Sequence, residues 1–258
     1  MSVLSGKNIL LGVTAGIAAY KTAFLVRLFI KAGAQVKVIM TPDAKKFVTP
    51  LSLATLSKNE VFSSFSREED FKDSWNNHVE LALWADIFLI APATANTLSK
   101  MASGNSDNFL LATYLSAKCP VYFAPAMDLD MYQHPSTKNS FEKLTSFGNI
   151  IIPAASGELA SGLVGEGRMA EPEDILNFIE NNIQKSLPLR NKKILITAGP
   201  TYEAIDPVRF IGNHSSGKMG YEMAKAAAEE GAEVVLVSGP THLENPHPSV
   251  NIIRVQTA

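Results

Sequence analysis

The chain has 258 residues, a hydrophobic fraction of 46%, a charged fraction of 19% and a formal net charge of −2. That composition belongs to a globular protein with a full core, and the near-neutral charge gives no electrostatic case for nucleic acid or an anionic membrane as partner. The single cysteine, Cys119, excludes an internal disulfide and fits a reducing compartment, so a cytoplasmic location is expected.

Residues 8–13 read as a buried strand, 17–32 as an amphipathic helix and 35–40 as a second strand. The opening apolar run after Lys7 has the look of a secretion signal, but a strand, a glycine turn and a helix start account for it better. Arg27 and Lys31 interrupt the best candidate for a membrane span, which needs roughly 18 apolar residues. The acidic run 67–73 reads as a solvated loop. Then follow a helix over 78–84, a strand over 86–90, helices over 95–102 and 108–117, and a strand over 120–124. A helix over 137–147, a strand over 149–152 and a helix over 172–184 complete the series. Continuous apolar strands separated by helices call for a parallel sheet covered on both faces, a doubly wound α/β domain.

Residues 185–192, charged and carrying Pro188, read as a linker. The opening theme then recurs: a strand over 193–197, a turn over 198–201, a helix over 216–230, and strands over 233–237 and 251–255. Two such beginnings imply two domains, 1–187 and 188–258. Only 68 residues follow Arg190, against roughly 100–150 for an ordinary domain, so the second is expected to be an N-terminal portion.

Gly12 and Gly16, between a strand and a helix, let backbone N–H groups approach a phosphate at the positive end of the helix, although a tight turn is an equal reading. The spacing is not that of a dinucleotide fingerprint, and Met40-Thr41-Pro42 ends strand two where a ribose-binding carboxylate would stand. A mononucleotide phosphate such as that of FMN fits better than NAD. Gly212 to Lys218 spell G-x-x-x-x-G-K, but Met219 stands where a P-loop has its magnesium-binding hydroxyl. In FAPAMDLDMYQHP, residues 123–135, a polar loop leaves the carboxyl end of a central strand, where open α/β sheets place ligands. Asp128, Asp130 and His134 make a weak metal set, and no metal is expected in this domain.

Together GVTAGIAAYK, His78 ahead of WADIFLIAPATANT, GNSDNFL, PAMDLDMY, GELASGLVGEGRM and ITAGPTYEAIDPVRFIGNHSSGKMG resemble one family over essentially the whole chain. It is the bifunctional phosphopantothenoylcysteine decarboxylase/phosphopantothenate–cysteine ligase of coenzyme A biosynthesis. The resemblance implies a flavodoxin-like, FMN-binding decarboxylase domain in a homotrimer or dodecamer, followed by the start of a Rossmann-like ligase domain. Gly12, Thr14, Gly16 and Thr41 would hold the flavin phosphate and ribityl chain, and Thr94, Ala95 and Asp107 would lie along the flavin or its rim. FMN would turn the thiol-bearing carbon into an electron sink, so that the neighbouring carboxylate can leave as CO₂. By the same resemblance His78 is the active-site base, and Met131, Arg168 and Met169 contact substrate.

Three positions depart from the family pattern; Tyr132 stands in place of a tryptophan, and the other two bear on the chemistry. Asp128 replaces an asparagine that hydrogen-bonds the substrate carboxylate; an ionised aspartate about 4 Å away would repel it by about 4 kcal/mol at an effective dielectric of 20. Asp128 is therefore expected to bind as the protonated acid. Ser161 replaces the cysteine that protonates the ene-thiolate, and a hydroxyl is a far weaker acid than a thiol of pKa about 8.5. Decarboxylation is expected to survive and the final reduction to be slow, or else to use Tyr132 or water as donor. In the ligase portion Gly199, Asn213, Ser215, Ser216, Gly217 and Lys218 would contact CTP or the acyl-cytidylate formed with Mg²⁺ from phosphopantothenate before cysteine attacks. The family's later ligase elements lie beyond Ala258, so ligation is expected only of a longer chain. A flavin-binding regulatory protein and a flavin prenyltransferase are the rival readings.

Overall fold

The computed structural model describes residues 2–66, 75–159 and 161–257; the acidic run 67–73 lies outside the described residues. The chain divides into two compact units, Ser2–Ile179 and Glu180–Ala258.

In the first unit the apolar runs become six parallel strands: β1 (Asn8–Val13), β2 (Gln35–Met40), β3 (Val61–Phe62), β4 (Ile87–Ala93), β5 (Val121–Pro125) and β6 (Ile150–Ile151). They lie in the order β3-β2-β1-β4-β5-β6, the doubly wound arrangement expected. Every residue of β4 is buried, because helices cover both faces. Leu10, Phe88, Ile90 and Phe123 point to one face, where they meet the helices over 78–84, 95–103, 109–116 and 135–146. Their alternating neighbours Ile9, Leu11 and Leu89 are equally buried on the other face.

The helices are α1 (Thr22–Lys31), α2 (Pro50–Ser57), α3 (His78–Trp84), α4 (Ala95–Ser103), α5 (Phe109–Ser116), α6 (Leu129–Gln133), α7 (Pro135–Ser146) and α8 (Pro172–Ser186). Side-chain caps fix several starts. Asn77 accepts the N–H groups of Val79 and Glu80, and Asn108 accepts that of Leu111. The single helix expected over 17–32 opens instead as a 3-10 segment, Ile17–Lys21: Gly16 is extended and offers no side-chain cap, and the tighter turn buries Ala19 and Lys21. α7 begins two residues earlier than expected, at Pro135, because the His134 ring accepts the Ser136 N–H and proline suits the first helical position. A hairpin unforeseen in the sequence, β7 (Ala155–Glu158) paired antiparallel with β8 (Val164–Arg168), forms a flap.

In the second unit β9 (Lys193–Ala198), β12 (Glu233–Ser238) and β13 (Asn251–Arg254) form a parallel sheet in the order β13-β12-β9, while β10 (Glu203–Ala204) and β11 (Phe210–Ile211) make a short antiparallel ribbon. α9 (Lys218–Glu229) buries Tyr221 and Ala224 with Val234 and Leu236 of β12. Among the described residues no helix is long and apolar enough to cross a membrane.

Candidate active site

Strand order reverses between β1 and β4, so the loops leaving those strands diverge and open a crevice at the carboxyl ends. A cavity of about 820 Å³ lies there. Its walls are the segments after β1 (Ala15 to Ala18), β2 (Thr41 to Asp43), β4 (Thr94 to Thr97) and β5 (Ala126 to Asp128), with the flap as the remaining side. A hydroxyl chain ties two walls together: Thr14 Oγ1 donates to Pro92 O at 2.7 Å and lies 3.3 Å from Thr94 Oγ1, which lies 3.3 Å from Thr97 Oγ1.

Thr41 is the most telling residue. Its Oγ1 is buried yet has no hydrogen-bond partner among the described residues, although Thr41 lines the cavity. A buried hydroxyl without a partner is costly, so a ligand oxygen is its natural complement. Beside it Gly16 keeps the cavity floor free of side chain; a Cβ there would lie 3.5 Å from Thr94 Cγ2. These features fit a flavin mononucleotide, whose phosphate would lie by Gly16 and Thr41 and whose rings would lie toward Thr94 and Ala95.

The flap is seated by a close backbone approach. Gly167 has φ +145°, and a Cβ there would stand 2.5 Å from the Met127 carbonyl oxygen. Glycine alone permits this approach, in which Met127 N donates to Gly167 O at 3.0 Å. Asp128 Oδ1 then accepts two hydrogen bonds, from the N–H of Leu129 at the start of α6 (2.9 Å) and from the hydroxyl of Ser161 in the flap turn (2.7 Å). The two departures that bear on the chemistry therefore meet in one contact. The root of the flap is held by ions. Lys21, almost wholly buried, donates to Met169 O at 3.1 Å and to Glu171 Oε1 at 2.9 Å; Arg168 Nη2 donates to the same oxygen at 2.8 Å. The Lys21 hydrogen bond first, and then the charges of Lys21 and Arg168, hold the Glu171 carboxyl below its ordinary pKa. Across the cavity Lys100 pairs with Asp107 and holds that carboxyl low as well.

The cavity thus brings together Gly16, Thr41, Thr94, Ala95, Asp107, Asp128, Met131, Ser161, Arg168 and Met169. Gly12 and Thr14 do not line it. A Cβ at Gly12 would sit 3.1 Å from both Leu110 Cδ1 and Phe88 Cε2, so glycine there answers to packing. His78 also lies away from the lining: it opens α3, its ring edge-on to Phe65 and Phe109, with Nδ1 buried and without a partner among the described residues. Tyr132 is buried against Phe141, beneath Lys138, rather than in the cavity. His134 serves as a helix cap, and among the described residues no His/Cys/Asp/Glu group is arranged to hold a metal. The sequence reading missed Lys21, Lys100 and Glu171, since nothing in a linear pattern links Lys21 to a glutamate 150 residues on.

In the second unit a cleft of about 740 Å³ is lined by Gly199, Asn213, Ser215, Ser216, Gly217 and Lys218 together. Gly217 caps α9 with φ +77°, and its Cα hydrogen faces Gly199, where a Cβ would be 3.2 Å from the Gly199 nitrogen.

Residues 2–184 match the flavoprotein family, more than half of the chain. The chain belongs to the flavoprotein family. Residues 189–258 match the DNA/pantothenate metabolism flavoprotein C-terminal domain. Among curated relatives, a cysteine/cysteine sulfinic acid decarboxylase from an unknown prokaryotic organism is 54% identical over 215 residues, covering 82% of this chain and 59% of that protein. The coenzyme A biosynthesis bifunctional protein CoaBC of Bacillus subtilis (strain 168) is 46% identical over 258 residues, 99% of this chain and 63% of that protein. The chain thus spans about three fifths of the length of these relatives. A solved PPC decarboxylase mutant complexed with pantothenoylaminoethenethiol superposes with a TM-score of 0.62 at 32% identity, covering 70% of this chain and all of the other.

Proposed function

We propose that residues 1–187 form an FMN-dependent decarboxylase domain that converts phosphopantothenoylcysteine to phosphopantetheine in coenzyme A biosynthesis. Residues 188–258 would be the N-terminal portion of a phosphopantothenate–cysteine ligase domain using CTP and Mg²⁺, active in a chain that carries the rest of that domain. The observation that carries the reading is the orphaned Thr41 hydroxyl in a cavity at the switch point of a flavoprotein-family sheet. Bound there, FMN supplies an electron sink beside the thiol-bearing carbon. The protein's own residues do the rest. Gly16 and Thr41 fix the phosphate, and the Thr14–Thr94 hydroxyl pair stiffens the floor. The flap, anchored through Lys21 and Glu171, holds Arg168, Met169 and Ser161 over the substrate and limits the access of water. Because His78 does not line the cavity of its own chain, its role as base calls for a second copy, and a homotrimer or dodecamer is part of the proposal. Exposed Ile17 and Tyr20 of the 3-10 segment and Phe24 of α1 offer apolar surface for such contact. The setting is cytoplasmic.

Similarity to the cysteine/cysteine sulfinic acid decarboxylase supports a second reading, the same chemistry on free cysteine, and Asp128 in the cavity favours it. The test is CO₂ release from phosphopantothenoylcysteine by FMN-loaded protein, with released flavin identified by chromatography. Loaded protein that frees CO₂ from neither phosphopantothenoylcysteine nor cysteine would defeat the assignment.

A further inference from the structure

The charges lining the cavity do not cancel evenly. Lys100 and Asp107 neutralise each other. At the root of the flap Lys21 and Arg168 share the single carboxylate of Glu171, while Glu158 in the flap and Asp43, which pairs with Lys46, add further carboxylates to the lining. Among the described residues Asp128 is answered only by two uncharged donors, the Leu129 N–H and the Ser161 hydroxyl, and both bonds fall on Oδ1. Among the described residues its Oδ2 has no protein partner. The Gly167 approach seats β8 on the backbone of Met127 and Asp128, so Arg168 follows directly on the residue that touches the Asp128 segment. Even so, Asp128 and Arg168 make no ion pair with each other among the described residues. Asp128 and Arg168 thus both line the flap end of one cavity without pairing with each other among the described residues.

We propose that this end is a zwitterion clamp, in which Asp128 receives the α-ammonium of a free amino acid and Arg168 faces its carboxylate. The clamp rests on the second form of the decarboxylase reading, in which free cysteine is the substrate, and names its specificity-determining residue. An N-acylated cysteine carries no ammonium; for such a substrate Asp128 presents only like charge to the carboxylate. A free amino acid brings its own cation to offset that repulsion. Replacing the charge of Asp128 therefore shifts preference between the two substrate classes, whereas a residue that merely held the flap would weaken both alike.

The test uses the full flavin-loaded chain and three unreactive probes with a hydroxyl in place of the thiol: L-serine, ethanolamine and 3-hydroxypropionate. Dissociation constants are read by ligand-observed NMR at neutral pH and low ionic strength, in wild type and in Asp128→Asn. Asparagine caps a helix as well as aspartate, so the α6 start survives, and Asp128→Ser, another good cap, serves as a second uncharged variant. Serine and ethanolamine should each bind at least tenfold more weakly to both variants, while 3-hydroxypropionate binds equally or more tightly. If all three probes shift together, or 3-hydroxypropionate binds wild type best, the clamp is wrong. CO₂ release separates the two claims. If Asp128→Asn decarboxylates free cysteine as well as wild type does, the decarboxylase reading stands and the clamp falls. If wild type releases CO₂ from neither cysteine nor phosphopantothenoylcysteine, the reading itself has failed.

Discussion

Replacing Thr41 by valine separates what this residue does for the fold from what it does for the ligand, because the two effects have opposite signs. Valine keeps the volume and β-branching that suit the extended backbone at Thr41 (φ −66°, ψ 152°). The hydroxyl makes no capping bond to the 3-10 segment that follows, so no capping bond is lost there. What disappears is one buried oxygen without a partner. Such a group costs about 1–3 kcal/mol, so flavin-free Thr41→Val should be more stable than wild type by about that amount. For a unit of this size that is a rise in melting temperature of about 2–8 °C. If the same hydroxyl donates to an anionic flavin oxygen, its removal weakens flavin binding by about 1.5–3 kcal/mol, a ten- to hundredfold lower affinity. Thermal melts of the flavin-free protein and fluorescence titration with FMN give both numbers from one preparation. Flavin-free Thr41→Val that melts lower than wild type, or binds FMN equally well, would refute the argument that the orphaned oxygen marks the cofactor.

The ionic root of the flap should behave as a local rather than a global support. Lys21→Met strips the Met169 carbonyl and Glu171 of a buried partner, but Glu171 keeps Arg168 and is 43% exposed. The loss should stay near about 1–3 kcal/mol and be read as faster hydrogen exchange across 155–171; unchanged exchange would contradict the latch. The same contact sets a pH dependence. The folded Glu171 pKa is depressed, so its contribution is complete above the unfolded value of about 4.3 and lost as pH falls through the folded one. Flap protection should therefore be constant from neutral pH to about 5 and decline below about 4, and Glu171→Gln should abolish that decline. Gly167→Ala demands a left-handed φ and meets the Met127 carbonyl, at a cost of about 1–3 kcal/mol. Proteolysis within 155–168 should accelerate while the melting of the sheet shifts little; an equally protected flap would count against the close approach.

The parts of this protein that show in its sequence are those whose physics is local. β1 and β4 announce themselves because burial on both faces requires a nearly unbroken apolar run, and β2 does so through Val36 and the buried run Val38 to Met40. α3 does so because Asn77 caps an apolar stretch that ends at Trp84. Thr49-Pro50, a cap followed by a proline at the first helical position, carried the same kind of signal for α2 and went unread. The flap could not be found that way. Its strands, ASGE and VGEGR, are short, glycine-rich and without alternation, and their pairing depends on Gly167 meeting a carbonyl forty residues earlier. The site shows the same division. Gly16, Thr41 and Thr94 follow directly from strand ends, so a motif can point to them. Lys21 reads as an ordinary residue near a helix start until the fold sets Glu171 against it. Asp128 and Ser161 look like two separate departures, one an electrostatic liability and the other a missing acid. Their 2.7 Å hydrogen bond makes them one arrangement: the serine supplies the hydroxyl that the new carboxylate accepts, and the carboxylate holds the flap turn in place. Among the described residues no cation answers that carboxylate; in the proposed clamp the compensation arrives with the substrate, a condition that a free ammonium group meets and an acylated nitrogen does not.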